Sequence, residues 1–270
     1  MPRAQANGVE LYFESVGEGL PLLLHGHHHQ WYMPYQVPYF SQFYRVIVVD
    51  RRGTGRSSNP AGPWTAAELA ADLRGLMDAL EIDRAIVGGI SLGGIVSSQF
   101  GLDYPERVHA LIVGGTVPYL WPLGAEWLHQ QIAAARGQGP VIVRQPRSYD
   151  WEDVGPATTI EGFESTPAGQ YLATLDNSFG DQRALLNMLN VLVDWDQRPR
   201  FAELAALDAP ALVIVGGNEP QKTVELSLEW SRQFKRSDFV ILPNTHHNAG
   251  IEHPIGWNGS VHAFLQRNGF

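Results

Sequence analysis

The stretch Arg84-Ala-Ile-Val-Gly-Gly-Ile-Ser-Leu-Gly-Gly-Ile-Val-Ser-Ser-Gln99 constrains this chain more than any other. An apolar, β-branched run ends in Gly89-Ile90-Ser91-Leu92-Gly93, and a helix-compatible stretch follows. A serine between glycines two positions either side, at a strand-to-helix junction, is the pattern of a sharp elbow. Such a turn forces unusual dihedrals on the serine and brings helix and strand into close approach, so bulk is excluded at Gly89 and Gly93. The serine hydroxyl then projects clear of the backbone. The same turn presents the Leu92 N–H, with the helix N-terminus behind it, to a developing negative charge.

A serine is a weak nucleophile without a base, and the base needs an orienting carboxylate. Both occur further along. Ala211-Leu-Val-Ile-Val-Gly-Gly-Asn-Glu-Pro220 reads as a buried strand ending in glycines and then an acid, Glu219. Phe239-Val-Ile-Leu-Pro-Asn-Thr-His-His-Asn248 reads as another strand, followed by a loop with His246 and His247. One of that pair would be the base. The order serine, acid, histidine, each on a loop after a strand, is the order expected around such an elbow. Glu126 is the rival acid, in the stretch that follows the preceding strand Ala110–Gly114. Thr116 in that loop cannot ionise, and Glu126 falls beyond Trp121-Pro122.

At this level the chain resembles the α/β-hydrolase superfamily over nearly its whole length, in the esterase, lactonase and enol-lactone hydrolase group. Four further segments carry the resemblance: Pro21-Leu-Leu-Leu-His25-Gly26; Tyr44 to Ser57, with Asp50, Arg52, Gly53, Gly55 and Ser57 in a D-x-R-G-x-G-x-S turn; Asp103-Tyr-Pro105-Glu-Arg-Val108; and His247 with Glu252 and Pro254. The resemblance selects His247 over His246. It also implies that the His27 backbone N–H completes an oxyanion hole with that of Leu92. Two features depart from the family's pattern. Glu219 stands where Asp is usual, and His27, His28 and His29 follow Gly26 where small or apolar residues are commoner.

The resemblance implies an α/β-hydrolase fold: a mostly parallel, doubly wound sheet with an inserted helical cap. Strands are expected at Val9–Val16, Pro21–His25, Tyr44–Asp50, Ala85–Gly89, Ala110–Gly114, Ala211–Gly216 and Phe239–Leu242. Several are continuously apolar, as strands buried on both faces are. Thr65-Ala-Ala-Glu68 is a capping box opening a helix to about Leu80, and Ser260–Gln266 is a closing amphipathic helix. The core is expected over 1–117 and 208–270. Residues 118–207 lack a buried strand and carry helical patches at Ala125–Arg136, Ala168–Leu175 and Asp181–Val193, so they form the cap. Its aromatics, Tyr119, Trp121, Trp127 and Trp151 among them, are expected to roof a pocket with His28 and Ile90.

The implied activity is cleavage of a small carboxylic ester or lactone through an acyl-enzyme, without cofactor. Carbon–carbon bond hydrolysis, cofactor-free perhydrolysis and a triad-bearing small-molecule receptor are the rival readings. Serine at position 91 excludes the haloalkane dehalogenase and epoxide hydrolase branches, which use Asp there. The His25–His29 cluster has metal-binding residues but no adjacent acid, so no metal site is expected. A net charge of −9 argues against nucleic acid and anionic membrane surfaces. With no cysteine, no apolar leader and no span-length apolar run, a cytoplasmic protein is expected. A homodimer is compatible with the sequence.

Overall fold

The computed structural model describes residues 2–26, 28–138, 165, 170 and 181–270. The strands are β1 (Arg3–Ala6), β2 (Val9–Val16), β3 (Pro21–His25), β4 (Arg45–Val49), β5 (Ala85–Ile90), β6 (Val108–Gly114), β7 (Ala211–Gly216) and β8 (Ser237–Leu242). They form one sheet in the order β1-β2-β4-β3-β5-β6-β7-β8. β2 pairs antiparallel with both β1 and β4, and every later pairing is parallel. The helices are α1 (Gln36–Phe40), α2 (Ala66–Ala79), α3 (Leu92–Asp103), α4 (Pro122–Ala135), α5 (Gln182–Val193), α6 (Phe201–Ala206), α7 (Gln221–Ser231), α8 (Ala249–Glu252) and α9 (Pro254–Arg267).

The period-two geometry of a strand divides the apolar runs between two cores. Leu23, Ile47, Val87, Leu111, Val113 and Val213 point to one face and pack with Leu73 and Leu76 of α2, Val96 and Phe100 of α3, and Trp230 of α7. Leu22, Leu24, Val46, Ile86, Ile112 and Ile214 point to the other and meet Val37 and Phe40 of α1 and Trp257, Val261 and Phe264 of α9. β5 and β7 are buried at every position, which is why neither shows polar alternation. Each such Val, Leu or Ile contributes about 1.5–3 kcal/mol by burial. The two faces together oblige the chain to alternate strand and helix.

The expected capping box is present. Glu68 N–H donates to Thr65 Oγ1 at 3.1 Å, and Thr65 N–H donates to Glu68 Oε2 at 2.9 Å. Two differences from the sequence reading stand out. β1 is an additional edge strand, joined to β2 through Asn7 and Gly8, both at positive φ (48° and 75°). α9 begins at Pro254, earlier than Ser260, because proline suits a first helical turn and His253 Nδ1 accepts the Gly256 N–H at 3.0 Å.

Between β6 and β7 the chain leaves the sheet. α4 and α5 pack on each other through Leu128, Ile132 and Leu189, a core separate from the two under the sheet. The legs of this excursion run side by side. Tyr119 and Asp196 form an isolated antiparallel bridge, and Gln197 N–H donates to Pro118 O at 2.8 Å. The buried Gln197 Oε1 accepts from Ser98 Oγ (2.8 Å) and Trp230 Nε1 (2.7 Å), locking the returning leg to α3 and α7. The stretch after it joins the main core through Leu204 and Leu207. Of the expected helix Ala168–Leu175 only Gln170 is described, and the aromatics Tyr149, Trp151, Phe163, Tyr171 and Phe179 lie outside the described residues.

Candidate active site

Ser91 joins β5 to α3 at φ 59° and ψ −122°, a conformation that L-residues hold at a cost of about 1–3 kcal/mol. Its N–H donates to Gly114 O at 2.8 Å, tying the elbow to the end of β6. The flanking glycines are required by contact. A β-carbon on Gly89 or on Gly93 would sit 2.5 Å from His25 O. Leu92 opens α3 and is buried, so its N–H belongs to the first turn, which lacks intrahelical acceptors.

The candidate acid and base follow neighbouring strands. Glu219 follows β7 and His247 follows β8, so both stand at the same sheet edge as Ser91. Asn218 N–H donates to Thr245 O at 2.8 Å, joining their loops. His247 Nδ1 lies 2.9 Å from Glu219 Oε1, the carboxylate almost fully buried and the imidazole one-fifth exposed. Burial pulls the His247 imidazole down, but the charge and hydrogen bond of Glu219, helped by the charge of Glu252, outweigh it and raise it overall. The loops converge on Gly115, at φ 50°. A β-carbon there would lie 3.3 Å from His247 O, 3.4 Å from Ile90 Cγ2 and 3.5 Å from Glu219 Oε1. Glu126, the rival acid, is exposed on α4.

His246 points elsewhere: it is buried, with Nδ1 3.7 Å from Glu252 Oε2. His25 is a core residue. Burial lowers it to about 3, and its Nε2 lies 3.0 Å from Ser97 Oγ. His29 N–H donates to Asp50 Oδ1 at 2.5 Å, and its Nδ1 lies 2.8 Å from the same oxygen. Asp50 Oδ2 accepts the Arg56 N–H at 2.8 Å, and Arg51 Nε donates to Gly26 O at 3.0 Å. The turn after β4 therefore grips the chain on both sides of position 27. Asp50 and Arg52 stand out in the sequence only as motif letters, and the Arg51–Gly26 and Asp50–His29 contacts leave no sequence signal. His27 lies outside the described residues. Among the described residues no cluster of His, Asp and Glu is arranged to hold a metal ion.

The remaining expected pocket residues among the described ones each have their own neighbours. Ile90 is buried between the elbow and the histidine loop, its Cδ1 2.9 Å from where a Gly250 β-carbon would be. His28 is buried, and burial lowers its imidazole against the pull of Asp50. Tyr119 lies under the Arg198 guanidinium at 4.1 Å. The Trp121 ring covers Gly124, and Trp127 packs against the α4–α5 core.

Residues 19–254 match the family model of the alpha/beta hydrolase fold. The chain belongs to the α/β hydrolases. This hydrolase is 28% identical over 232 residues to 3-oxoadipate enol-lactonase 2 of Acinetobacter baylyi, covering 86% of this chain and 82% of the relative. It is 28% identical to 2-hydroxy-6-oxononadienedioate/2-hydroxy-6-oxononatrienedioate hydrolase of Burkholderia vietnamiensis, covering 83% and 77%. A thermophilic esterase from Thermogutta terrifontis superposes with a TM-score of 0.80 at 24% identity, over 100% of this chain and 99% of that one, and that likeness speaks to the fold alone. Among the described residues of this hydrolase, no helix is long and apolar enough to cross a membrane.

Proposed function

We propose that this hydrolase cleaves small carboxylic esters or lactones through a Ser91–His247–Glu219 triad. The observation that carries the reading is the 2.9 Å pair of His247 Nδ1 and Glu219 Oε1 at the sheet edge that also bears the strained Ser91. With Nδ1 facing a carboxylate, Nε2 is the nitrogen that takes a proton. The enol-lactonase relative supports a carboxylic ester linkage as the bond attacked.

In this reading His247 Nε2 removes the Ser91 proton as Oγ adds to the carbonyl carbon. The Leu92 and His27 amides hold the resulting oxyanion, each donor being worth about 3–4 kcal/mol. Collapse of the intermediate expels the alkoxide, which takes the proton from His247, and leaves an acyl-serine. Water, deprotonated by the same nitrogen, adds to the acyl carbon. The second collapse frees the carboxylic acid and restores Ser91. Glu219 holds the tautomer and stabilises the imidazolium in both halves. The cycle needs neither metal nor redox cofactor.

The test is active-site labelling with turnover. A fluorophosphonate should label Ser91 and stop hydrolysis of a chromogenic short-chain ester. Ser91→Ala should lose turnover by about 10⁴-fold or more while remaining folded, and EDTA should leave the rate unchanged. Labelling of Ser97 or Ser98, a fully active alanine variant, or an EDTA loss restored by zinc would overturn the reading. A panel of esters, lactones and vinylogous 1,5-diketones separates acyl-oxygen from carbon–carbon cleavage.

A further inference from the structure

A second acid stands behind the catalytic loop. Glu252 ends α8, six residues after His246, and its side chain is completely buried. Glu252 Oε2 accepts the His246 N–H at 2.6 Å, and the Asn248 backbone amide hydrogen-bonds the same carboxylate. These are the two amides that flank His247 in sequence. One carboxylate therefore gathers the backbone on both sides of the imidazole, where Glu219 touches only its ring. The position is itself fixed. Glu252 N–H donates to Asn248 O at 2.9 Å, and the next residue, His253, caps α9.

Resting on the triad reading above, we propose that Glu252 is a positioning residue for His247, an anionic clamp whose charge holds the base loop in its working geometry and supports the imidazolium.

A buried anion beside another carboxylate is costly unless donors surround it. The groups acting on Glu252 are the His246 and Asn248 amides and the His247 ring, which favour its charge, and Glu219, which opposes it. The His246 ring stands 3.7 Å away. Burial, reinforced by Glu219, pushes Glu252 up to about 7. The clamp thus forms as pH rises through neutrality, and the His247 imidazole, raised from its usual value, sheds its proton on the same acid limb. In the other direction, the Glu252 charge raises the imidazole. A slack loop would displace Nε2 from Ser91, and a displacement of about 1 Å can lower turnover by about a hundredfold.

Glu252→Gln tests the clamp. The amide keeps the shape, removes the charge and turns an N–H₂ donor toward backbone donors. The expected result is a kcat at least about tenfold lower with KM within about threefold. The acid limb of the pH–rate profile should move to lower pH, because His247 loses a supporting anion. It should also flatten to a single-proton slope, where the parent enzyme falls off more steeply. A merely structural role would lower activity with the unfolded fraction and leave the limb in place. A folded Glu252→Gln variant with unchanged kcat, or with an unmoved acid limb, overturns the proposal. If that variant does not fold, Glu252→Asp decides: a slower enzyme with the steep limb retained is expected, and a parental rate overturns the proposal. Fluorophosphonate labelling of the parent enzyme separates the two readings. Absence of Ser91 labelling defeats the triad and this proposal with it, whereas labelling with an indifferent Glu252 defeats this proposal alone.

Discussion

Gly26 and Gly93 are in backbone contact: a β-carbon on Gly26 would sit 2.6 Å from Gly93 Cα. The end of β3 and the first turn of α3 therefore touch with nothing between them, and the distance from the elbow to the turn after Gly26 is set by the absence of two methyl groups.

Gly93→Ala tests that contact. Glycine to alanine inside a helix ordinarily stabilises by about 1 kcal/mol. Here the new methyl would meet His25 O at 2.5 Å, a backbone atom that cannot turn aside. The clash should win, with a net loss of about 1–3 kcal/mol in calorimetry and at least a tenfold drop in kcat/KM. A variant as stable and as active as the parent would refute the packing account.

The strain at Ser91 is separately measurable. Ser91→Gly and Ser91→Ala both delete the hydroxyl and should both be inactive. Only alanine retains a β-carbon at φ 59°. The glycine variant should therefore be the more stable of the two, by about 1 kcal/mol or more. Equal melting temperatures would mean that the elbow is relaxed.

For the acid, Glu219→Gln should lower turnover by about a hundredfold or more. It should also move the acid limb of the residual activity to lower pH, because Glu219 is the larger of the two acids that raise His247. Glu126→Gln changes an exposed residue on α4 and should be near neutral. The reverse ranking in folded, purified variants would reassign the acid.

His25 predicts a stability profile. Its imidazole is neutral in the fold, lowered by burial to about 3, whereas an unfolded histidine titrates near about 6.5. The unfolded chain thus binds a proton that the native one refuses. Stability from this group is complete above about 6.5 and is lost as pH falls from there toward about 3. The slope amounts to about 1.4 kcal/mol per pH unit. Denaturant midpoints of His25→Gln should show a shallower decline across that window than those of the parent chain. Parallel curves would show that His25 is protonated in the native state.

What the sequence makes legible follows a physical division. The central strands were visible because burial on both faces leaves Ile86-Val87 or Leu212-Val213-Ile214-Val215 no polar residue to show. The Thr65 cap was visible because both partners of its box lie within one turn. β1 was missed because Arg-Ala-Gln-Ala has little apolar signal, although Asn7-Gly8 is a hairpin turn signal. The geometry of Ser91 was legible because close approach demands glycine at fixed spacings. Contacts such as Arg51 with Gly26, Asp50 with His29, or Gln197 with Ser98 and Trp230 were not, because each joins side chains or backbone brought together by the sheet and not by sequence distance. Trp127 shows the same limit: aromatic character marks burial but not which of two cores receives it.

The paired legs at Tyr119 and Asp196 have an evolutionary corollary. Because the excursion departs and returns through one stitched seam, with Gln197 riveted into the main core and Ala184 and Val191 of α5 packed into that same core, α5 answers to two sets of neighbours at once. A change at Ala184 or Val191 reaches the packing against the sheet, whereas a change at an exposed position of α4 such as Glu126 does not. Selection is thus freer to drift on α4 than on α5, whose inward face is inherited with the sheet.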